Sequence, residues 1–334
     1  MSEPLDVARY IFINDENELR CGWRIVAFCA LWLIAEIILS GLVAVIASLI
    51  PALRPLLAQP AASEELGAHL IVFHGTGVGA SLAAALIATG VCARALERRS
   101  IASVGYKLHR GWLRDFLLGS ALGAASLALS VVIAMAARAD RFMVQTRDEA
   151  RIAGGFAFVF CFFLAAAAVE EVVFRGFPFQ ALVHNLGAVP ALAITSVLFG
   201  LAHLANPNAG LFSTINTVLA GLWLGAAYLK TRSLWLATAL HYSWNFVMAF
   251  VFGLPVSGIM DLGSLAWLKG EPGPPTMISG GGYGPEGGAA VTAALILSIA
   301  VIWKSRLFYG SEEMLAAIQH GKPEQRFGRI TPMQ

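Results

Sequence analysis

Apolar residues in this chain form long runs, and the short stretches between the runs hold most of the charged residues. A helix rises about 1.5 Å per residue, so roughly twenty apolar residues cross the ~30 Å hydrocarbon core of a bilayer. The pattern therefore predicts an all-α fold, a polytopic membrane helical bundle of about eight transmembrane helices. The predicted spans are 25–49, 70–91, 116–137, 154–173, 189–204, 212–229, 234–252 and 289–303.

The composition supports a membrane protein. Of the 334 residues, 57% are hydrophobic and only 13% are charged, and the mean hydropathy is +0.70. An average globular domain has about 25% charged residues, so a soluble globular protein is excluded. The formal net charge of +2 says nothing about nucleic acid, because in a membrane protein the placement of Lys and Arg is more informative than their sum. The hydrophobic composition makes the lipid bilayer the expected partner, and no nucleic acid is expected.

The runs divide the chain into five regions. Residues 1–24 are predicted to be a cytoplasmic N-terminal segment, and residues 25–137 to contain three N-terminal transmembrane helices. Residues 154–252 form the membrane core that carries the polar motifs. Residues 253–288 are rich in Gly and Pro, which predicts a flexible loop without regular structure. Residues 289–334 are predicted to hold the last transmembrane helix and a cytoplasmic tail.

The distribution of Lys and Arg predicts the orientation. An even number of spans places both termini on one side of the membrane. Basic residues concentrate in cytoplasmic loops, and most of the 23 Lys and Arg residues fall on the side of the termini. We therefore expect both the N-terminus and the C-terminus to be cytoplasmic.

Three charged residues end the fourth apolar run, in the sequence EEVVFR. Each ionised side chain near the bilayer centre costs about 2.5–3.5 kcal/mol on insertion scales, so such residues are usually paired or functional. On a helix Glu171 and Arg175 are four residues apart on one face and can form an ion pair. Glu170 lies about 100° round the helix and has no such partner. We expect Glu171 and Arg175 to support a site in which Glu170 acts.

Two further polar motifs lie in the predicted core. FGLAH places Phe199 and His203 on one helix face, so the aromatic ring can orient the imidazole. HYSWN places His241 and Asn245 on one face in the same way. Together with Glu170, these side chains would supply a carboxylate base, two imidazoles and an amide donor, which could activate water and stabilise an oxyanion.

The same residues could hold a metal instead. His203, His241 and Glu170 are possible ligands of a divalent ion such as zinc, which would lower the pKa of a bound water to about 7. Convergence is not guaranteed, because straight helices would separate Glu170 and His203 by roughly 14 Å in depth. Bringing them together requires a tilt, or a fifth helix that begins outside the membrane.

The three motifs, in order, resemble the EExxxR, FxxxH and HxxxN signatures of the CPBP family of intramembrane proteases. This family includes the type II CAAX prenyl endopeptidases and relatives linked to bacteriocin self-immunity. The resemblance implies an integral protein of a bacterial inner (plasma) membrane that cleaves a peptide or protein substrate at the cytoplasmic side. It implies Glu170 and His203 as activators of water, His241 and Asn245 as the oxyanion-stabilising pair, and Glu171 and Arg175 as supporting residues.

Other functions remain open from the residues alone. Intramembrane pairs such as Glu171 with Arg175 can serve only to hold helices together. A non-catalytic membrane immunity or binding protein could use the same fold. Buried Glu and His also form proton relays, so a proton-coupled transporter is a third possibility, although the chain has no evident inverted repeat. The resemblance implies hydrolysis that is either glutamate-based or metal-dependent, and it does not identify the substrate or show whether it is prenylated.

Overall fold

A computed structural model describes residues 11–14, 17–51, 53–54, 68–145, 149–260, 262 and 265–319. The predictions for most of the N-terminal segment and for the end of the cytoplasmic tail lie outside these residues. The helices that we number are α1 Cys21–Leu49, α2 Ala68–Glu97, α3 Trp112–Ala136, α4 Glu149–Arg175, α5 Phe177–Leu186, α6 Ala188–Ala202, α7 Leu211–Thr231, α8 Leu234–Phe246, α9 Ala289–Lys304 and α10 Glu312–Gln319.

The prediction of an all-α helical bundle is confirmed, since each predicted span coincides with a helix. Within the described residues, five apolar stretches are long enough to cross a membrane by themselves: α1, α2, α3, the stretch Ile152–Leu186 and α7. Helices α6 and α9 are apolar but shorter. Helix α8 has 13 residues and continues as a π-helix over Val247–Val251. The total of eight crossing helices stays a prediction.

Helix α8 is the centre of the bundle. Every residue from Leu234 to Phe246 except Trp235 is buried, and α3, α4 and α7 pack around it. Gly119 in α3 allows close approach, because a Cβ atom there would lie 2.8 Å from the Leu236 carbonyl oxygen. The polar residues of α8 are thereby held inside the protein rather than in contact with lipid.

Helix α1 forms the edge of the bundle and packs mainly on α2. Its outer face exposes large apolar side chains, among them Ile37, which is 72% exposed, and Ile38. A continuous exposed apolar helix face is stable against lipid and not against water. The chain is therefore an integral membrane protein.

The Gly- and Pro-rich segment corrects one expectation. We predicted no regular structure for residues 253–288, but Leu268–Pro272 forms strand β2, which pairs antiparallel with strand β1, Asp140–Val144. A helical turn follows over Thr276–Ser279. The short strand gives no signal of its own because its partner lies more than a hundred residues earlier in the chain. This segment packs against the end of α9 and of α7.

Candidate active site

The last turns of α4 hold a buried ion pair. Arg175 Nη1 lies 3.0 Å from Glu171 Oε1, and both side chains are almost fully buried. Arg175 Nη2 donates to the Gly221 carbonyl oxygen at 3.2 Å, and the guanidinium lies 4.3 Å from the centre of the Phe199 ring. The predicted helical pairing of Glu171 with Arg175 is therefore present in the structure, and it also ties α4 to α6 and α7.

Glu171 has a second contact that the sequence did not reveal. Its Oε1 atom lies 3.0 Å from His241 Nδ1, so it accepts hydrogen bonds from Arg175 and from the imidazole. Glu171 thus orients His241, which lies 70 residues later in the chain. No local pattern could have indicated this bond, because it depends on how α4 packs against α8.

His203 is oriented at the end of α6 by the helix itself. Its Nδ1 atom lies 2.8 Å from the carbonyl oxygen of Phe199. The Phe199 ring packs against both imidazoles, with centroid distances of 4.7 Å to His203 and 6.1 Å to His241. Gly221 lets α7 lie close to α6, because a Cβ atom there would be 2.8 Å from Ser196 Cα. Backbone and ring contacts therefore fix the position of His203.

The structure brings Glu170 and both histidines together. Glu170 Oε2 lies 3.8 Å from His203 Nε2 and 3.9 Å from His241 Nε2. The separation in depth that straight helices would impose is avoided, because the end of the short helix α6 meets α4 at the level of Glu170. The distances exceed hydrogen-bonding range, so the three atoms face one another across a gap.

The hydrogen bonds at Nδ1 of His203 and His241 determine which kind of ligand can bind in this gap. The carbonyl oxygen and the carboxylate that contact the two Nδ1 atoms can only accept, so each ring carries its proton on Nδ1. A neutral ring then presents a lone pair at Nε2. Two lone pairs and the Glu170 oxygen, which has no hydrogen-bond partner among the described residues, converge on one point. A water molecule could donate hydrogen bonds to two of these three acceptors, and a cation could interact with all three.

Glu170, His203 and His241 are suitable metal ligands in type, but their ligating atoms lie too far apart to bind one ion in the present geometry. Imidazole and carboxylate are ligands that zinc uses, and acceptors at Nδ1 commonly orient ligating histidines. Ligands at about 2.1 Å in a tetrahedral site lie roughly 3.4 Å apart, closer than the distances here. Among the described residues, no group of three or more His, Cys, Asp or Glu side chains is arranged to hold an ion. Binding by Glu170, His203 and His241 would require them to move closer together.

Asn245 lies one helical turn after His241 and is 8% exposed. Its carboxamide makes no hydrogen bond to the residues that the structure describes. The two residues lie on one face of α8, as their spacing predicted, but Asn245 does not line the cavity that borders the two imidazoles.

A narrow cavity borders the two imidazoles, and part of its polar lining was missed from the sequence. Its other polar side chains include Glu286 and Ser257 from the Gly- and Pro-rich segment and Asn216 from α7. Asn216 Nδ2 donates to the carbonyl oxygens of Glu286 and Gly288. These residues belong to no recognisable motif, and only the folding of residues 253–288 against α7 and α9 places them at the site.

Comparison with known proteins agrees with this geometry. A family model described as "Type II CAAX prenyl endopeptidase Rce1-like" matches residues 152–247, which contain all three polar motifs and cover less than a third of the chain. No curated protein matches the sequence. The resemblance to the CPBP and CAAX protease family is confirmed, and residues 152–247 form a domain of the Rce1-like type II CAAX prenyl endopeptidase family.

Proposed function

We propose that this protein is an intramembrane endopeptidase that hydrolyses a peptide bond in a peptide or protein substrate at the cytoplasmic side of the membrane. The observation that carries the proposal is the convergence of Glu170 Oε2 with the Nε2 atoms of His203 and His241 at 3.8 and 3.9 Å. A water molecule in this gap could donate to Glu170 Oε2 and to His203 Nε2, which would polarise it for attack.

The proposed reaction uses these groups in sequence. Glu170 takes a proton from the water while His203 Nε2 accepts its second hydrogen bond, and the water oxygen attacks the substrate carbonyl carbon. The Asn245 amide donates to the oxyanion that forms, and His241 donates from Nε2 when its ring is protonated. The Glu171 carboxylate at Nδ1 stabilises that imidazolium. The peptide bond then breaks, and Glu170 returns its proton to the leaving amine.

A metal-dependent version would use the same residues. Glu170, His203 and His241 would hold the ion, which would supply a Lewis acid and a more acidic bound water. Glu171 and the Phe199 carbonyl would keep their roles at the two Nδ1 atoms. The two versions therefore differ in metal content and not in the residues that they require.

The test is cleavage of a peptide library by the purified protein in lipid vesicles. The library should contain unmodified peptides and peptides with a C-terminal prenylated cysteine, with products identified by mass spectrometry. His203→Ala is expected to lower the rate by about 10²-fold or more, since general acid–base groups contribute 10²–10⁴-fold. His184→Ala, in α5 outside the site, is the matched control and should retain activity.

Four results would change or refine the account. Full activity of His203→Ala would overturn the proposed role of that residue. Peptide binding without cleavage would favour a non-catalytic binding protein, and proton flux without either would favour a transporter. Zinc measured on the same sample, at one ion per chain in the wild type and lost in His203→Ala, would select the metal-dependent version.

A further inference from the structure

The cavity that borders the two imidazoles has room for one or two water molecules. About 30 Å³ of it is open to the centre of a water molecule, and one buried water needs about 10–15 Å³ by the same measure. The space is too small for a long substrate side chain. Water is therefore the occupant that fits, provided that the lining is polar enough to hold it.

The lining offers hydrogen-bond acceptors to such a water. Thr217 Oγ1 donates its hydrogen to the Ser213 carbonyl oxygen at 2.8 Å, and Ser257 Oγ donates to the Glu286 carboxylate at 2.7 Å. A hydroxyl oxygen that has donated its hydrogen can still accept, so both hydroxyls can receive hydrogen bonds inside the cavity. The two imidazoles belong to the same lining. An apolar cavity stays dry, but a buried water needs only 2–4 polar partners, which these residues supply.

The cavity lies on the inner side of the two imidazoles. Glu170 is not among the described residues that line it. The exposed fraction of the side chain falls from 33% for Glu170 to 17% for His203 and 10% for His241. A substrate therefore approaches the gap from the side of Glu170, and the cavity remains behind the rings while the substrate covers that side.

We propose that this cavity is an internal store of one or two water molecules, from which the hydrolytic water is replaced after each turnover. This inference rests on the proposed endopeptidase function, because hydrolysis consumes one water for each peptide bond that breaks. Part of the wall comes from Ser257, Glu286, Val291 and Leu295, which lie outside the residues 152–247 that the family model matches. The store thus depends on a part of the chain that the three motifs do not include.

The first experiment makes the lining less polar. Thr217→Val replaces the hydroxyl by a methyl group and keeps the shape of the side chain. It should lower kcat roughly tenfold and leave KM unchanged, because a lost water-mediated hydrogen bond counts about as much as a direct one. Thr217→Ser, which keeps the hydroxyl, should retain most of the rate.

Thr214→Val is the matched control for this substitution. Thr214 lies on the same helix and its Oγ1 atom donates to the Gly210 carbonyl oxygen at 2.9 Å, the same bond to the residue four positions earlier. It is not among the described residues that line the cavity. Thr214→Val should leave kcat and KM unchanged, and equal rates in Thr217→Val and Thr214→Val would overturn the store.

The second experiment fills the cavity. Ala220→Val adds two methyl groups to the lining, which should exclude the water and lower kcat. Filling a dry void instead stabilises a protein without affecting its reaction. A raised unfolding temperature with unchanged kcat would therefore show a dry packing defect and overturn the store.

A measurement without cleavage separates this inference from the endopeptidase function. Val291 lines the cavity and is 1% exposed, so its methyl groups meet water only inside the cavity. Magnetisation transfer from water to these methyl groups, measured by NMR in detergent micelles, should occur in the wild type and in Thr214→Val and be lost in Ala220→Val. If the wild type cleaves nothing, this result retains the water site although the endopeptidase function fails. Absence of transfer in the wild type overturns the store even if the protein cleaves peptides.

Discussion

Two groups of polar side chains lie among the apolar helices, and they differ in how their carboxylates are neutralised. The core cluster consists of Glu170, Glu171, Arg175, His203 and His241. In it, one oxygen of Glu171 accepts hydrogen bonds from both a guanidinium and an imidazole. The peripheral cluster consists of Glu36, Ser40 and Ser81, and in it one oxygen of Glu36 accepts hydrogen bonds from two hydroxyls, at 3.2 and 2.8 Å. Its other oxygen is buried without a partner among the described residues.

The difference separates chemistry from helix packing. The core cluster draws side chains from α4, α6 and α8 and leaves acceptors facing a gap. The peripheral cluster joins α1 to α2 through hydroxyls, as polar contacts between membrane helices commonly do. A buried carboxylate therefore does not by itself identify a site. What identifies it is the convergence of charges from several helices on space that a ligand can enter.

Removing the buried cation is expected to have the largest effect on stability. Arg175→Met leaves Glu171 with only its imidazole partner and removes the guanidinium that donates to the Gly221 carbonyl. Breaking a buried ion pair on one side costs about 3–5 kcal/mol, so the free energy of unfolding should fall by that amount. The measurement is unfolding in mixed detergent micelles, with Arg141→Met on exposed β1 as the control. Equal stability of the two variants would mean that the pair is not buried as described.

The second prediction concerns the close contact that delivers His203 to the core cluster. Gly221→Ala places a Cβ atom 2.8 Å from Ser196 Cα, which forces α6 away from α7. Overpacking of this kind costs about 1–3 kcal/mol, and displacement of His203 should also lower any hydrolytic rate. Gly77→Ala in α2 is the control, because no atom lies within 4 Å of a Cβ there. If both variants unfold at the same temperature, α6 and α7 do not depend on this contact.

The buried carboxylate of Asp140, outside the membrane-spanning helices, predicts how stability depends on pH. Asp140 at the start of β1 is 5% exposed, and burial raises its pKa from 3.8 to about 6. The folded chain therefore holds this proton more tightly than the unfolded chain, and stability decreases as pH rises from about 4 to 6. Asp140→Asn should unfold about 2–4 °C higher than the wild type at pH 7.5. At pH 4 the gain should vanish, and a gain that is independent of pH would contradict the assigned cause.

The smallest effect is expected in the peripheral cluster. Glu36→Gln keeps an oxygen that can accept from Ser40 and Ser81, and no ion pair with a described residue is lost. The free energy of unfolding should change by less than about 1 kcal/mol, because hydrogen bonds between membrane helices contribute about 0.6 kcal/mol on average. This change in free energy is measured by unfolding the variant and the wild type in mixed detergent micelles. A loss as large as that of Arg175→Met would show that Glu36 has an ionic partner.

Much of the fold and of the candidate site could be predicted from the sequence, because both depend on local spacing. Apolar runs indicated the helices, and the four-residue spacing of Glu171 and Arg175 indicated their pair. The bond from Glu171 to His241, and the place of Glu286 in the cavity, depend on contacts between distant segments. Strand β2 was missed for the same reason, since its pairing with β1 and not its composition makes it a strand.

The central claim is that two adjacent glutamates have separate roles, Glu170 in chemistry and Glu171 in structure. The most direct measurement compares Glu170→Gln and Glu171→Gln for peptide cleavage and for unfolding in the same vesicle preparation. Glu170→Gln should lower the cleavage rate by about 10²–10⁴-fold. It should change stability little, because the Glu170 side chain is one-third exposed. Glu171→Gln should lower both, because it leaves the buried guanidinium of Arg175 unpaired. Cleavage that survives in Glu170→Gln, or equal loss of stability in both variants, would contradict the account.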